Sequence, residues 1–307
     1  MKIEILLSTY NGERYLREMM DSLIGQDYSD FHITVRDDGS SDNTVDIIKE
    51  YQSLYQDKIT YIKPECNLGY PDCFWYLLEN CEEADMYAFC DQDDVWNSRK
   101  LSSCYEKCKD IYADKPLLYV HDYNLADGDL NVYGSHKLLD EGFDPKYPYN
   151  TVFYVMTQGF TMIINDKMRN RLLKDNVLGK NIPHDRWAFW AGFFEKGIIY
   201  DDRDLAIYRR HDASVTQTGK GTLDLIKDWW SEDVVGGRLA GWCKVSRYFA
   251  RCYTNEMDSK TKRRWMLISG YNKGIVCYLM RLFFPMRLKP TIPGEIVLRL
   301  CFLLNKK

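Results

Sequence analysis

The sequence predicts an α/β protein in which helices cover an open, mainly parallel sheet and a helical extension follows. Strand-like and helix-like segments alternate regularly through the first third of the 307 residues, which is typical of a parallel sheet. The charge balance then changes sign: residues 1–219 carry 24 basic and 38 acidic side chains, whereas residues 220–307 carry 17 and 7. We therefore expect one body over 1–219 and a helical, basic and aromatic region over 220–307.

The spacing of apolar residues places each element in order. A continuous apolar run predicts a buried strand, and apolar residues three or four positions apart predict a helix. The predicted strands are Ile3–Ser8, Phe31–Val35, Ile59–Ile62, Met86–Cys90, Leu117–Val120 and, later, Asp204–Arg209. The predicted helices are Arg14–Ile24, Asp42–Leu54, Asp72–Leu78, Ser98–Ile111 and Asp185–Glu195, with Ser41 or Asp42 as N-cap of the second.

Composition indicates a globular protein. With 45% hydrophobic and 28% charged residues, the chain differs from disordered, collagen-like and polytopic membrane proteins. The ten cysteines are scattered without a CxxC pair, so reduced thiols are expected rather than a disulfide framework or a zinc ribbon. The first apolar run is too short for a signal peptide and reads as a strand. These observations favour a cytoplasmic protein.

Three polar clusters follow predicted strands, and they carry the functional argument. They are Ser8-Thr9-Tyr10-Asn11-Gly12, Asp37-Asp38-Gly39-Ser40 and Asp91-Gln92-Asp93-Asp94. In open α/β sheets the ligand binds at the carboxyl ends of the strands. We therefore expect the three clusters to line one crevice.

The residue types suggest a charged ligand. Three carboxylates within residues 91–94 would repel one another unless a cation were present, and hard divalent cations prefer such oxygens. A solvated acidic turn is the alternative. For residues 37–42 the alternatives are acceptors for a base or ribose and a simple turn that caps the next helix.

The ordered set of these clusters, with Asn67-Leu68-Gly69 between the second and third, resembles the nucleotide-binding half of the family-two glycosyltransferases, which have the GT-A fold. Within that family the sequence looks closest to bacterial rhamnosyltransferases that build surface polysaccharides. The resemblance covers roughly residues 1–215. It implies a nucleotide-sugar half over 1–120 and an acceptor half over 121–219.

The resemblance implies the following roles. The nucleotide-sugar donor would contact Thr9, Tyr10, Asn11, Asp37, Asp38, Asn67, Asp91, Gln92 and Arg209. A Mg²⁺ or Mn²⁺ ion would be held by Asp93 and by His211, which belongs to a late Tyr-Arg-x-His element. Relatives often carry a basic residue a few positions after the Asn-x-Gly element, where this chain has Pro71-Asp72-Cys73; Arg99 or Lys100 are the substitutes within reach in sequence.

A second element, His184-Asp185-Arg186-Trp187, begins a predicted helix. In similar proteins its Asp is the general base, so Asp185 is the predicted catalytic residue, with His184 and Trp187 near the acceptor. Direct displacement at an anomeric carbon needs one base to take the proton of the acceptor hydroxyl. The alternatives are that Asp185 only caps the helix and that Trp187 is a core residue.

The C-terminal region offers two interpretations. Aromatic and basic residues are interleaved from Trp229 onward, and the most apolar stretches, Ile275–Phe284 and Ile296–Leu304, are interrupted by Arg281 and Arg299. Neither stretch approaches the roughly 20 apolar residues of a transmembrane helix. A basic amphipathic helix lying on an anionic membrane surface is one interpretation, and a helical bundle packed on the catalytic domain is the other. Nucleic acid is not an expected partner, because no recognised motif accompanies the charge.

Together these features predict a metal-dependent inverting glycosyltransferase at the inner face of the cell membrane. The expected donor is dTDP-rhamnose and the expected acceptor a saccharide or lipid-linked saccharide; a homodimer is compatible with the sequence. The alternatives are a glycosyltransferase with a UDP-sugar donor, a sugar nucleotidyltransferase and a non-catalytic sugar-binding adaptor. A nucleotidyltransferase normally opens with a Gly-rich loop, whereas residues 8–12 contain one glycine.

Overall fold

A computed structural model describes residues 1–144, 147–211, 231, 236–270 and 274–304. The chain forms two compact units, one of 1–138 with 157–211 and one of 139–156 with the residues after 211. The boundary expected between 219 and 220 lies outside the described residues and stays a prediction, and residues 139–156 group with the C-terminal helices.

The first unit is an α/β layer structure. Its strands are β1 (Ile3–Thr9), β2 (Phe31–Asp37), β3 (Ile59–Ile62), β4 (Met86–Cys90), β5 (Val95–Trp96), β6 (Leu118–Ala126), β7 (Val132–His136), β8 (Met162–Asn165) and β9 (Ile198–Arg209). Its helices are α1 (Leu16–Ile24), α2 (Thr44–Leu54), α3 (Asp72–Asn80), α4 (Lys100–Cys108), α5 (Asp166–Leu173) and α6 (His184–Phe194).

Sheet topology brings the polar clusters to one edge. The strands follow the order β3-β2-β1-β4-β8-β6-β9-β5, with β7 added beside β6. Strands β1 to β4 are mutually parallel, and Thr9 pairs with Asp37 while Leu7 pairs with Cys90. The carboxyl ends of β1, β2 and β4 are therefore neighbours, as the sequence predicts.

Helix α1 illustrates how the sequence builds this layer. Leu16, Met19, Met20 and Leu23 are fully buried and recur at the three- and four-residue spacing that puts side chains on one helix face. Helix α2 begins at Thr44 with Asn43 at the N-cap position. The predicted capping role of Asp42 is partly met, because its carboxylate accepts a hydrogen bond of 3.0 Å from the backbone N–H of Thr44.

Of the strands and α-helices described in the first unit, four were not expected from the sequence: β5, β7, β8 and α5. Strand β8 has only four residues and pairs antiparallel with both β4 and β6. Its pairing partners lie more than 40 positions away, so no local pattern reveals it. It nevertheless begins the change from parallel to antiparallel pairing in the sheet.

The second unit contains helices α7 (Arg238–Cys252), α8 (Ser259–Ile268), α9 (Ile275–Leu282) and α10 (Ile292–Leu304), which confirms the expected helical C-terminal region. The buried Trp265 indole donates a hydrogen bond of 2.9 Å to the Ser246 carbonyl and so joins α8 to α7. Among the described residues, none of the helices is both long enough and apolar enough to cross a bilayer. Trp229 and Trp230 lie outside the described residues.

Candidate active site

The loops after β1 and β4 are joined through one side chain. The backbone N–H of Tyr10 donates to Oε1 of Gln92 at 2.8 Å, and Nε2 of Gln92 donates to the Tyr10 carbonyl at 2.9 Å. A Cβ at Gly12 would lie 2.1 Å from the same Oε1. Gly12 is therefore the residue that lets Gln92 approach. Gln92, predicted to contact the donor, holds the two loops together.

Asp37 organises the turn that follows β2. It is almost fully buried and accepts hydrogen bonds from Oγ1 of Thr9 at 3.0 Å and from the backbone N–H groups of Gly39 and Ser40 at 2.9 and 2.8 Å. Gly39 has a φ of 93°, a conformation that favours glycine. Asp37 therefore stabilises the predicted turn, and it is also one of the residues predicted to contact the donor.

Asp38 joins the same turn to the Asn-Leu-Gly element. Its two oxygens accept from the backbone N–H groups of Leu68 at 2.9 Å and Gly69 at 2.6 Å, and Arg36 donates to it as well. Three of the residues predicted to contact the nucleotide-sugar donor are exposed in these loops: Tyr10, Asn11 and Asn67.

The third cluster contains carboxylates that destabilise one another. Loss of solvation raises the pKa of Asp91 to about 7, and the negative charges of Asp93 and Asp185 add to that shift. Asp94 is fully buried, and its pKa is raised for the same reason, burial first and then the neighbouring carboxylates. Asp185, from a distant part of the sequence, is therefore close enough to Asp91 to act on its ionisation.

His211 completes this cluster. Its Nε2 lies 2.9 Å from Oδ2 of Asp93, and its ring lies against Tyr15 with centroids 4.8 Å apart. The two residues assigned to the metal by resemblance are thus in direct contact. Oδ2 of Asp94 has no hydrogen-bond partner among the described residues. Carboxylate oxygens with one imidazole, beside an unneutralised excess of negative charge, fit a divalent cation.

Arg209 has a different environment from the one expected for a donor-binding residue. Its side chain is 2% exposed. Its guanidinium donates to the carbonyls of Asp93 at 2.9 Å and Gly128 at 2.8 Å and also to Glu18, and its backbone N–H donates to Asp94. This arginine therefore positions the acidic turn, and these contacts leave its guanidinium turned into the protein.

The His184-Asp185-Arg186-Trp187 element begins α6, with Pro183 at the N-cap position. Asp185 is therefore inside the first turn and not the cap, and it accepts a hydrogen bond of 2.6 Å from the backbone N–H of Arg186. Trp187 is fully buried, and its indole N–H donates to Asp175 at 2.7 Å. The expected contact of Trp187 with an acceptor is corrected: this ring is a core residue, because a fully buried side chain cannot touch a bound sugar.

His184 is also buried. It stacks on Phe74 with centroids 4.1 Å apart and lies 4.6 Å from Phe89, and neither ring nitrogen has a hydrogen-bond partner among the described residues. Burial lowers its pKa to about 4. The predicted acceptor contact of His184 is corrected: this ring packs in the interior against Phe74 and Phe89, because only 2% of the residue is exposed.

Lys100, one of the two residues suggested to replace the basic residue that relatives carry after the Asn-x-Gly element, is not available to a ligand. This side chain is fully buried, its Nζ lies 3.2 Å from the ring centroid of Trp96, and it donates to the Phe160 carbonyl. Burial lowers the pKa of Lys100 to about 7. Asp72 stands near the position where relatives carry that basic residue. Its carboxylate accepts a hydrogen bond of 3.0 Å from the backbone N–H of Gly179.

Sequence reasoning missed Arg36, which lies within the buried strand β2. It donates to Asp38 and, at 2.8 Å, to the Cys66 carbonyl, and its guanidinium lies 5.0 Å from the Tyr76 ring centroid. A charged residue inside an otherwise buried strand, immediately before Asp37, is the signal that identifies it.

A second group with metal-ligand geometry lies at the opposite, amino ends of the strands. Ligand atoms of Glu4, His32 and Glu82 lie within 4.8 Å of one another. Nδ1 of His32 is already 3.0 Å from both Glu4 oxygens, and Nζ of Lys2 donates to Glu82 at 2.8 Å. This group forms an internally paired network, distinct from the Asp93–His211 site.

Comparisons with known proteins agree with this arrangement. The family model described as "Glycosyl transferase family 2" matches residues 4–195. The dTDP-rhamnosyl transferase RfbG of Shigella flexneri is 36% identical over 243 residues, which cover 73% of this chain and 80% of that protein. The uncharacterized glycosyltransferase alr2836 of Nostoc sp. is 29% identical over 229 residues, which cover 70% of this chain and 66% of that protein.

A solved structure shows the same fold. The crystal structure of Staphylococcus aureus TarS 1–349 superposes with a TM-score of 0.61 and 17% identity, covering 97% of this chain and 78% of that one. The GT-A fold class and the family resemblance predicted from the sequence are thereby confirmed. From the ordered polar clusters, their convergence at one edge of the sheet and these similarities, we conclude that the chain belongs to glycosyl transferase family 2.

Proposed function

We propose that this chain is a divalent-metal-dependent inverting glycosyltransferase that transfers L-rhamnose from dTDP-rhamnose to a saccharide or lipid-linked saccharide in bacterial surface polysaccharide synthesis. The observation that carries the proposal is the 2.9 Å contact between Nε2 of His211 and Oδ2 of Asp93, beside Asp91, whose pKa is raised by burial and by the charges of Asp93 and Asp185. It supports one site in which a cation-binding group and a base are neighbours. The choice of rhamnose is supported by the similarity to the dTDP-rhamnosyl transferase of Shigella flexneri.

In the proposed reaction Asp185 accepts the proton of the acceptor hydroxyl as its oxygen attacks the anomeric carbon. A new C–O bond forms on one face of the sugar while the bond to the phosphate oxygen breaks on the other. The bonding electrons leave with the nucleoside diphosphate, and the anomeric configuration is inverted. One carboxylate suffices for this step, unlike the carboxylate pair of a glycosidase.

On the donor side, the exposed Tyr10, Asn11 and Asn67 are available to the nucleotide, and the buried Asp37 and Asp38 keep their loops in place. Asp93 and His211 would hold the Mg²⁺ or Mn²⁺ ion. The bound ion would neutralise negative charge on the departing diphosphate.

A thermal-shift panel of dTDP-, UDP- and GDP-sugars, with and without Mn²⁺, tests the donor assignment. A ligand at 100 times its dissociation constant stabilises a protein by about 2.7 kcal/mol, so the true donor should raise the melting temperature measurably. We expect the largest shift with dTDP-rhamnose and Mn²⁺ together. A shift with none of the nucleotide sugars would overturn the proposal.

Three other functions give different results. A UDP-sugar donor would give the largest shift with a UDP-sugar and would preserve the transfer chemistry proposed for Asp185. A sugar nucleotidyltransferase would release pyrophosphate from a nucleoside triphosphate. A sugar-binding adaptor would bind a saccharide without any turnover of the donor.

A further inference from the structure

The last two helices each carry an apolar strip that faces solvent. On α9 and the residue after it, the exposed side chains recur every three or four positions, and on α10 they do the same. We call these side chains together the α9–α10 face; they are Ile275, Val276, Leu279, Met280, Phe283, Ile292, Ile296, Leu300 and Leu303. Phe283 is 75% exposed and Ile275 69% exposed. Large apolar surfaces of this kind usually mark an interaction site.

The two arginines that interrupt these stretches in the sequence do not interrupt the face. Arg281 points inward, where its Nη2 lies 2.9 Å from Sγ of Cys243 and its guanidinium lies 4.0 Å from the ring centroid of Phe302. Arg299 donates to the carbonyls of Arg281 and Leu282 at 2.8 and 2.7 Å. Both cations are therefore used to join the helices, and only apolar side chains are left along the strips.

The segment that carries the face has a net positive charge. Within 274–304 the charged residues are Arg281, Arg287, Lys289, Glu295 and Arg299. Glu295 is neutralised internally, because it accepts from the backbone N–H groups of Leu288 and Lys289 and from Arg299. Arg287, in the turn between the helices, is exposed. The face thus combines apolar strips with an exposed cation and no unpaired acid among the described residues.

We propose that the α9–α10 face lies in the interface of an anionic lipid membrane. Apolar side chains would enter the boundary between headgroups and acyl chains, and Arg287 would meet the lipid phosphates, as in interfacial helices. A second copy of the chain is a poorer occupant, because the one acid of residues 274–304, Glu295, is already paired with Arg299 and the same face of another copy would offer no charge opposite to Arg287. This inference goes beyond the proposed transfer reaction and does not depend on it.

Co-sedimentation of the full chain with vesicles tests the proposal. We expect binding to vesicles of phosphatidylcholine mixed with phosphatidylglycerol and clearly weaker binding to phosphatidylcholine alone. The double variant Val276→Glu with Phe283→Glu should reduce binding to the mixed vesicles at least about tenfold, because each change removes apolar burial and adds repulsion. Arg287→Gln should reduce it about fivefold, since a juxtamembrane cation contributes about 1 kcal/mol.

The matched control is Leu54→Glu. Leu54 is 66% exposed at the end of α2 in the first unit, so the same chemical change is made outside the face, and binding should not change. Unaltered circular dichroism of every variant excludes unfolding. Equal binding of the double variant and the unmodified chain would overturn the proposal. So would equal binding to neutral vesicles, or a dimer that the double variant dissociates in the absence of any lipid binding.

Discussion

Nε2 of His211 lies 2.9 Å from Oδ2 of Asp93, although 118 positions separate the two residues in the chain. The contact joins the end of β9 to the loop after β4, and it lies beside Asp91, whose pKa is raised by burial and then by neighbouring carboxylates. The excess negative charge is the reason to expect a cation there, and it gives the first prediction.

Asp93→Asn should weaken the Mn²⁺-dependent part of donor binding at least about tenfold, because it removes a charged oxygen ligand. Calorimetric titration of the donor at several Mn²⁺ concentrations measures this. Glu82→Gln is the matched control: it removes a carboxylate from the Glu4–His32–Glu82 group and should leave the Mn²⁺ dependence unchanged. The reverse result, with Glu82→Gln affected and Asp93→Asn unaffected, would move the cation site to the other end of the sheet.

Asp185→Asn should reduce transfer by a factor of about 10² to 10⁴ and leave donor affinity within a few fold, because the amide cannot accept the acceptor proton. Single-turnover transfer and donor titration separate the two effects. Asp57→Asn, at an exposed loop position, is the control and should transfer at the unmodified rate. Normal turnover in Asp185→Asn would eliminate the base assignment.

Arg209→Lys should lower the free energy of unfolding by at least about 2 kcal/mol, because one ammonium cannot reach all the acceptors that the buried guanidinium satisfies. Urea denaturation measures this. Arg14→Lys, at an exposed position, should cost little. If Arg209→Lys weakened donor binding with no loss of stability, the arginine would be a donor ligand and not a positioning residue.

Gly12→Ala should weaken donor binding, because the added Cβ would lie 2.1 Å from Oε1 of Gln92 and force apart the loops that Gln92 joins. Replacing Gln92 with alanine removes the side-chain oxygen with which the new Cβ would clash. Gly12→Ala combined with Gln92→Ala should therefore bind the donor no worse than Gln92→Ala alone. A strictly additive loss in the double variant would show that the two residues act independently.

The contribution of His184 to stability should fall as the pH is lowered from about 6.5 to about 4, because burial lowers its pKa to about 4. Asp91 and Asp94, whose pKa values are raised by burial, act in the opposite direction in this range and are shared by the variant compared below. In this window the unfolded chain binds a proton that the folded chain does not, so the contribution of His184 is present above pH 6.5 and is lost as the pH falls. The full loss is about 3 kcal/mol, given about 1.4 kcal/mol per pKa unit. Urea denaturation across this range measures it.

His184→Phe should lower the slope of the unfolding free energy against pH by the amount that corresponds to about one proton. Phenylalanine keeps an aromatic ring at this position and cannot ionise. His121, whose pKa is also lowered by burial, contributes separately and remains in this variant. An identical pH slope in the variant would show that His184 is not the group responsible.

The nucleotide half was predictable because its signals are local. The predicted bounds Ile59–Ile62 and Met86–Cys90 coincide with β3 and β4, since short apolar runs between turns have few other interpretations. The long-range features were not predictable. Strand β8 is defined by its neighbours, and the roles of Trp187 and Arg209 depend on burial that a motif does not reveal.

The candidate site, like the fold, has features that the sequence predicts and features that it does not. The order of the clusters was enough to bring residues 8–12, 37–40 and 91–94 to one edge, because strand ends in a parallel sheet share an edge. Asp185, in the first turn of α6, was assigned to the site by the family resemblance alone. What each polar side chain does there depends on partners from elsewhere in the chain. Arg36, which holds Asp38, has no motif of its own.

Asp38 directs both carboxylate oxygens at backbone N–H groups of the neighbouring loop, while Tyr10 and Asn67 stand at the surface beside it. In the proposed function the donor contacts these two exposed side chains, so binding the donor and holding the loops together would fall to different residues. Replacement of Tyr10 or Asn67 would then change the donor contacts and leave the hydrogen bonds of Asp38 in place.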